Sequence, residues 1–104
     1  MPKVRVFGRE IQAENVLRVE AGTNCPQGGD TGHGGRTLIR LRNVGSTDMS
    51  VRVNGGSLQA AESVEIVLGG DAEHGTIVDA LEFVLSVLKN KHGHKVSART
   101  EDVA

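Results

Sequence analysis

Aromatic residues are almost missing: Phe7 and Phe83 are the only two in 104 residues, with no tryptophan and no tyrosine. Modules that bind RNA or single strands stack bases on aromatic rings, so such a platform has almost nothing to be built from here. An excess of one charge is missing too, since 12 basic and 13 acidic residues leave a formal net charge of −1. A duplex-DNA binder draws its affinity from a basic footprint that this balance does not supply. Cysteine is limited to Cys25, which excludes an intramolecular disulfide framework. No run of ~18 apolar residues could span a bilayer. The opening Met1-Pro2-Lys3-Val4-Arg5 lacks the apolar stretch of a signal peptide. Together these absences lead to the expectation of a protein of the reducing cytoplasm.

What remains is a chain long enough for one core. A domain of this size buries roughly two-thirds of its unfolded surface, so assembly with further copies would supplement its stability. No linker or low-complexity block divides it. The expected organisation is a single α+β domain over residues 1–91, with a loosely ordered tail over 92–104.

Alternation of polar and apolar residues predicts about five strands. Lys3 to Phe7 is the first, bent at Gly8 and continued by Arg9 to Ile11, with a turn at Glu14-Asn15. Leu17, Val19 and Ala21 then oppose Arg18 and Glu20, a half-buried strand. Arg36 to Val44 is the third, with Arg36, Arg40 and Arg42 on the face opposite Ile39 and Leu41. Met49, Val51 and Val53 mark the fourth. Asn54-Gly55 is a strong hairpin signal, because both central residues of that turn take positive φ. The fifth carries Val64, Ile66 and Leu68 on one face.

A helix is expected to start near Thr76, where Thr76-Ile77-Val78-Asp79 has the form of a capping box, and to end about Asn90, before Gly93. At 100° per residue, Asp79, Glu82, Ser86 and Lys89 fall within about 80° of one another, and apolar residues occupy roughly 220°. A single sheet needs an apolar stripe a little over ~100° wide. The surplus predicts a homo-oligomer formed through this helix.

Chemistry concentrates in two segments. Gly22 to Gly35 is a polar stretch with six glycines, and its core runs Gly28-Gly29-Asp30-Thr31-Gly32-His33-Gly34-Gly35-Arg36-Thr37. Such glycine density lets backbone N–H groups approach an anion closely. Arg36 adds a bidentate fork for phosphate or carboxylate, Thr37 a hydroxyl, and His33 a group that donates, accepts or ligates. The loop leads into a strand and has no Gly-Lys-Ser/Thr, so it is neither a Walker A loop nor a dinucleotide fingerprint. The second segment, Gly69-Gly70-Asp71-Ala72-Glu73-His74-Gly75, repeats the form Gly-Gly-Asp-x-x-His-Gly at the start of the helix, where free N–H groups and the dipole favour an anion. In a plain up-and-down meander the two segments lie at opposite ends of the sheet, and would meet only in another strand order or across a subunit boundary. Cys25 reads as a partly buried loop cysteine, and His92-Gly93-His94 as solvent-exposed decoration. The arginine row, with Arg18, suits either a polyanion or a solvated face offset by Glu20 and Glu65.

Thr23-Asn24-Cys25-Pro26-Gln27 with the Gly28–Thr37 loop, and Gly69-Gly70-Asp71 leading into Ala80-Leu81-Glu82-Phe83, resemble a family of small uncharacterised bacterial and phage proteins. Those proteins carry a similar Gly-Gly-Asp-x-Gly-His-Gly-Gly-Arg-Thr loop and a similar apolar helix. The resemblance covers most of the chain and implies no established activity. Size and phage context also resemble, by analogy and without any shared residue motif, the small oligomeric proteins that sequester nucleotide immune signals.

The expected function is therefore non-catalytic binding of an anionic small molecule, such as a nucleotide or cyclic nucleotide, by a homo-oligomer. The residues expected to hold it are Gly28, Gly29, Asp30, His33, Gly34, Gly35, Arg36, Thr37, Asp71 and His74, with no cofactor and no required metal. The partners expected are the ligand and further copies of the chain, not a nucleic-acid duplex or a membrane. The alternatives are a metal-assisted or acid–base hydrolase using Asp30, His33, Asp71 and His74, and a purely structural oligomer.

Overall fold

The structure is a computed structural model, and it describes residues 3–28, 34–91, 93 and 96–103. The element order is β1 (Val6–Gln12), β2 (Val16–Thr23), β3 (Arg36–Gly45), β4 (Ser50–Val51), β5 (Gln59–Ala60), β6 (Ser63–Gly69) and α1 (Asp71–Leu88). This is an α+β chain, but the five-strand expectation is corrected. A four-stranded antiparallel sheet has the order β1-β2-β3-β6, and β4 and β5 form a separate two-stranded sheet. The Asn54-Gly55 turn forms as expected, with φ of 53° and 68°, and Gly56 N–H donates to the Val53 carbonyl at 3.0 Å. It joins β4 to the short β5, however, and the long strand carrying Val64, Ile66 and Leu68 pairs with β3 instead.

Register sorts the four-stranded sheet into two unlike faces. Ala21, Ile39 and Ile66 share a row, as do Val19, Leu41 and Val64, with Phe7 opposite Ala21 and Ile11 opposite Leu17. The other face carries Glu20, Arg40 and Glu65 in one row, flanked by Arg18 and Arg42. The first strand starts later than expected and runs through Gly8 without a break. A Cβ there would lie 2.8 Å from the tip of the flexible Arg18 side chain, which would have to shift to admit it.

The helix is longer at its start than the capping-box expectation. It begins at Asp71, not near Thr76, and takes Gly75 into its second turn. Two acidic residues, Asp71 and Glu73, sit in the first turn, where the dipole favours negative charge. Gly70, with φ of 118°, supplies the carbonyl that accepts the His74 N–H at 3.1 Å. The far end closes as the sequence suggests. Asn90 adopts φ of 57°, Asn90 N–H bonds Val87 O and Lys91 N–H bonds Ser86 O, a Schellman closure.

By their internal contacts the residues form two compact units, Met1–His74 and Gly75–Ala104. The first holds both sheets and the first turn of α1. In the second, Val96 to Arg99 and Glu101 line a groove with Phe83 and Val87. Among the described residues no hydrophobic side chain is buried. Phe7 stays 63% exposed on the sheet, and Leu81, Phe83, Leu85 and Leu88 stay 46–75% exposed on the helix. Taking one such side chain from full exposure to burial contributes about 1.5–3 kcal/mol, while a whole domain is stable by only about 5–15 kcal/mol. The uncovered apolar surface is thus large on the scale of the fold. No helix is long and apolar enough to cross a membrane among the described residues.

Candidate functional site

The two glycine-rich segments meet. In the expected five-strand meander, the connections after the second and the fifth strand would fall at opposite ends. The β4–β5 hairpin leaves the main sheet, so β6 runs directly antiparallel to β3, and Gly69 faces Arg36. The end of β6 therefore lies beside the start of β3, and the loop after β2 shares one end of the sheet with the start of α1. The expectation of opposite ends is corrected by this change of parity.

Asp71 fastens the two segments together. Its carboxylate accepts the Gln27 N–H at 2.9 and 3.1 Å and the Gly28 N–H at 2.8 Å. The Gln27 amide, then the Gly28 amide, hold its carboxyl below the ordinary range, with Cys25 and His74 adding smaller effects in the same direction and desolvation opposing them. Gly70 N–H donates to Gly35 O at 3.0 Å beside this clamp. Gly35 has to be glycine: a Cβ there would collide with Cys25 Sγ and lie 3.2 Å from Asp71 Oδ1. Asn24 closes the loop from the other side, its Oδ1 accepting the Arg36 N–H at 2.7 Å and its Nδ2 donating to Lys3 O at 3.2 Å.

A chain of hydroxyls runs behind the clamp. Thr37 is 7% exposed and is the buried polar residue of the described chain. Its Oγ1 lies 3.0 Å from Thr23 Oγ1 and 3.1 Å from His74 Nδ1. Thr23 Oγ1 donates to Arg36 O at 2.9 Å and accepts the Cys25 N–H at 3.1 Å. The Cys25 thiol, half-buried, donates toward Gly70 O at 3.6 Å.

Arg36 belongs to the opposite face. The pleat separates it from Thr37, and its guanidinium runs over Gly69, where a Cβ would lie 3.3 Å from Nη1. Its Nη1 also donates to Gly35 O at 2.8 Å. Further along that face, Arg40 bridges Glu20 at 3.0 Å and Glu65 at 2.6 Å, and Arg18 approaches Glu20 at 3.5 Å. These bonds push the Arg40 pKa up and hold Glu20 down. Much of the arginine row is thereby neutralised by its neighbours, as a solvated face would be.

Of the ten residues expected to form the site, Gly35, Thr37, Asp71 and His74 come together on one side of the sheet end. Gly28 joins them through its amide, Arg36 reaches the same end from the other face, and Gly34 is exposed nearby. Gly29, Asp30 and His33 lie outside the described residues. Thr23, Asn24 and Cys25 belong to the same network, although periodicity gave no sign of it; the clue was their place immediately before the glycines. No group of three or more His, Cys, Asp or Glu residues is arranged to hold a metal among the described residues. Compared with family models, curated proteins and solved structures, the chain matches none.

Proposed function

We propose that this chain is a non-catalytic binding protein, a homo-oligomer that holds an anionic small molecule of the nucleotide class at the glycine-rich end of its sheet. The observation that carries the reading is the convergence of the loop after β2 with the start of α1, through the Asp71 bonds to Gln27 and Gly28. Those bonds show that backbone donors of this loop are turned toward a carboxylate. In this reading Asp71 braces the loop, Arg36 grips the ligand's charge from the sheet rim, and His74, bonded to Thr37, contacts its polar remainder. The apolar helix supplies the contact between copies, because its large side chains stay in water in the single chain.

Thermal-shift screening against nucleotides, cyclic nucleotides and sugar phosphates tests it, with the native protein and Arg36→Ala side by side. A ligand that stabilises the native protein should lose on the order of ten- to a hundred-fold in affinity, about 1.5–3 kcal/mol, without the Arg36 fork. If no anion stabilises the native protein, or if Arg36→Ala responds equally, a purely structural oligomer takes its place. One observation favours that second reading: with Asp71 as an internal partner, the amides of Gln27 and Gly28 already have an acceptor.

A further inference from the structure

The hydroxyl chain at the sheet end fixes the proton of His74. Arg36 O is a carbonyl and can only accept, so its 2.9 Å contact with Thr23 Oγ1 needs the Thr23 proton. Thr23 Oγ1 then has no second proton for Thr37 Oγ1, 3.0 Å away, so Thr37 donates across that contact in preference to the more distant Cys25 Sγ at 4.0 Å. Thr37 Oγ1 is left as an acceptor toward His74 Nδ1 at 3.1 Å, so Nδ1 carries the hydrogen. The opposite assignment would leave Thr23 Oγ1 and Arg36 O facing each other with no proton between them. Isolated imidazole favours the other tautomer, with hydrogen on Nε2, so the protein sets this arrangement rather than inheriting it. His74 is half-buried and bonds through Nδ1, while Nε2 makes no hydrogen bond among the described residues.

We infer that His74 is held as the Nδ1–H tautomer with its Nε2 lone pair unused among the described residues, which makes it a hydrogen-bond acceptor of the site. Resting on the proposed binding function, this narrows the ligand class. A fully deprotonated oxyanion such as sulfate brings no hydrogen to an unprotonated Nε2, whereas a ligand carrying a hydroxyl or N–H beside its charged group does. The site therefore selects a phosphorylated sugar or nucleoside over sulfate. Thr23 and Thr37 act as positioning residues, since both work through His74.

The test is ¹⁵N NMR of the native protein in mildly alkaline buffer, with the His74 signals assigned by their loss in His74→Gln. A protonated Nδ1 and a pyridine-type Nε2 are expected. Thr23→Val should free the Thr37 hydroxyl to turn toward Nδ1 and move the hydrogen to Nε2. A native spectrum with hydrogen on Nε2 overturns the assignment, and it decides alone if the variant fails to fold. A folded Thr23→Val whose tautomer stays unchanged overturns the proton chain. Ribose 5-phosphate and sulfate are then compared by titration. Ribose 5-phosphate should bind roughly three- to ten-fold more tightly, an advantage reduced in Thr37→Val. Equal binding overturns the ligand class while the tautomer stands. If neither binds and the spectrum is as expected, it is the binding function that fails.

Discussion

At the glycine-rich end of the sheet, nearly every polar group near Asp71 has a partner within the same unit. The loop amides meet a carboxylate, Asn24 bonds both neighbouring segments, and Thr23, Thr37 and His74 bond one another in a chain. The helix from Gly75 onward is the reverse. Its backbone is closed at the C-terminus, yet Leu81, Phe83, Leu85 and Leu88 remain about half or more exposed. Directional bonds can be completed inside one chain of this length, whereas apolar surface of this extent needs more surface to cover it. The comparison teaches that the two regions should answer differently to change, one through folding and the other through association.

The largest effect is expected on the helix. Leu85→Glu places a charge on its apolar arc and should weaken self-association by about 2–4 kcal/mol, at the scale of an interface hot spot. Light scattering should show smaller particles while circular dichroism still reports a folded chain. A native protein that is monomeric at micromolar concentration would remove the contrast altogether. Next comes Gly35→Val, which pushes a side chain into Cys25 and Asp71 and should cost about 1–3 kcal/mol of unfolding free energy without altering oligomer size. Adding Cys25→Ala should recover part of that loss, and a purely additive result would show that the two sites do not touch.

A smaller effect is expected from Asp71→Asn, which keeps an acceptor but loses the charge that Gln27 and Gly28 bind. Asp71 is lowered in the folded state, so its contribution is fully present above the ordinary carboxyl pKa and fades as pH falls through the lowered folded value. Native protein should therefore lose midpoint temperature on acidification more than Asp71→Asn does, and parallel curves would contradict the clamp. The smallest effect is expected from Arg40→Ala. Its ladder to Glu20 and Glu65 lies on the outer face and is open to screening, so denaturation in high salt should erase the difference from native protein.

Much of the main sheet is legible in the sequence because its signals are local. Strand β3 starts at Arg36 as the alternation predicts, and Arg40 and Arg42 do oppose Ile39 and Leu41. The helix start is harder to read. Thr76-x-x-Asp79 has the spacing of a capping box, but Asp71 wins because its donors, the Gln27 and Gly28 amides, lie in a loop more than forty residues earlier, beyond any local window. Glycine at position 75 also looks like punctuation, yet it costs a helix only about 1 kcal/mol. The meeting of the two glycine-rich segments is illegible for a similar reason. The spacing of apolar residues in Met49 to Val53 says that a strand is present, but not which sheet it joins. Within the site, the resemblance between the two Gly-Gly-Asp-x-x-His-Gly segments pointed to Asp71 and His74. It gave no sign that Thr23, from the preceding strand, would be the residue orienting His74.

The hairpin that leaves the sheet has a practical consequence for protein engineering. It departs and returns at a closed base, where Asn43 N–H bonds Glu62 O at 2.6 Å, and its own turn at Asn54-Gly55 is exposed. A peptide tag spliced between those two residues would enter a segment whose ends are already brought together, with the clamp around Asp71 left intact. The excursion that reverses the parity of the strands is thus also the natural port for labelling the molecule.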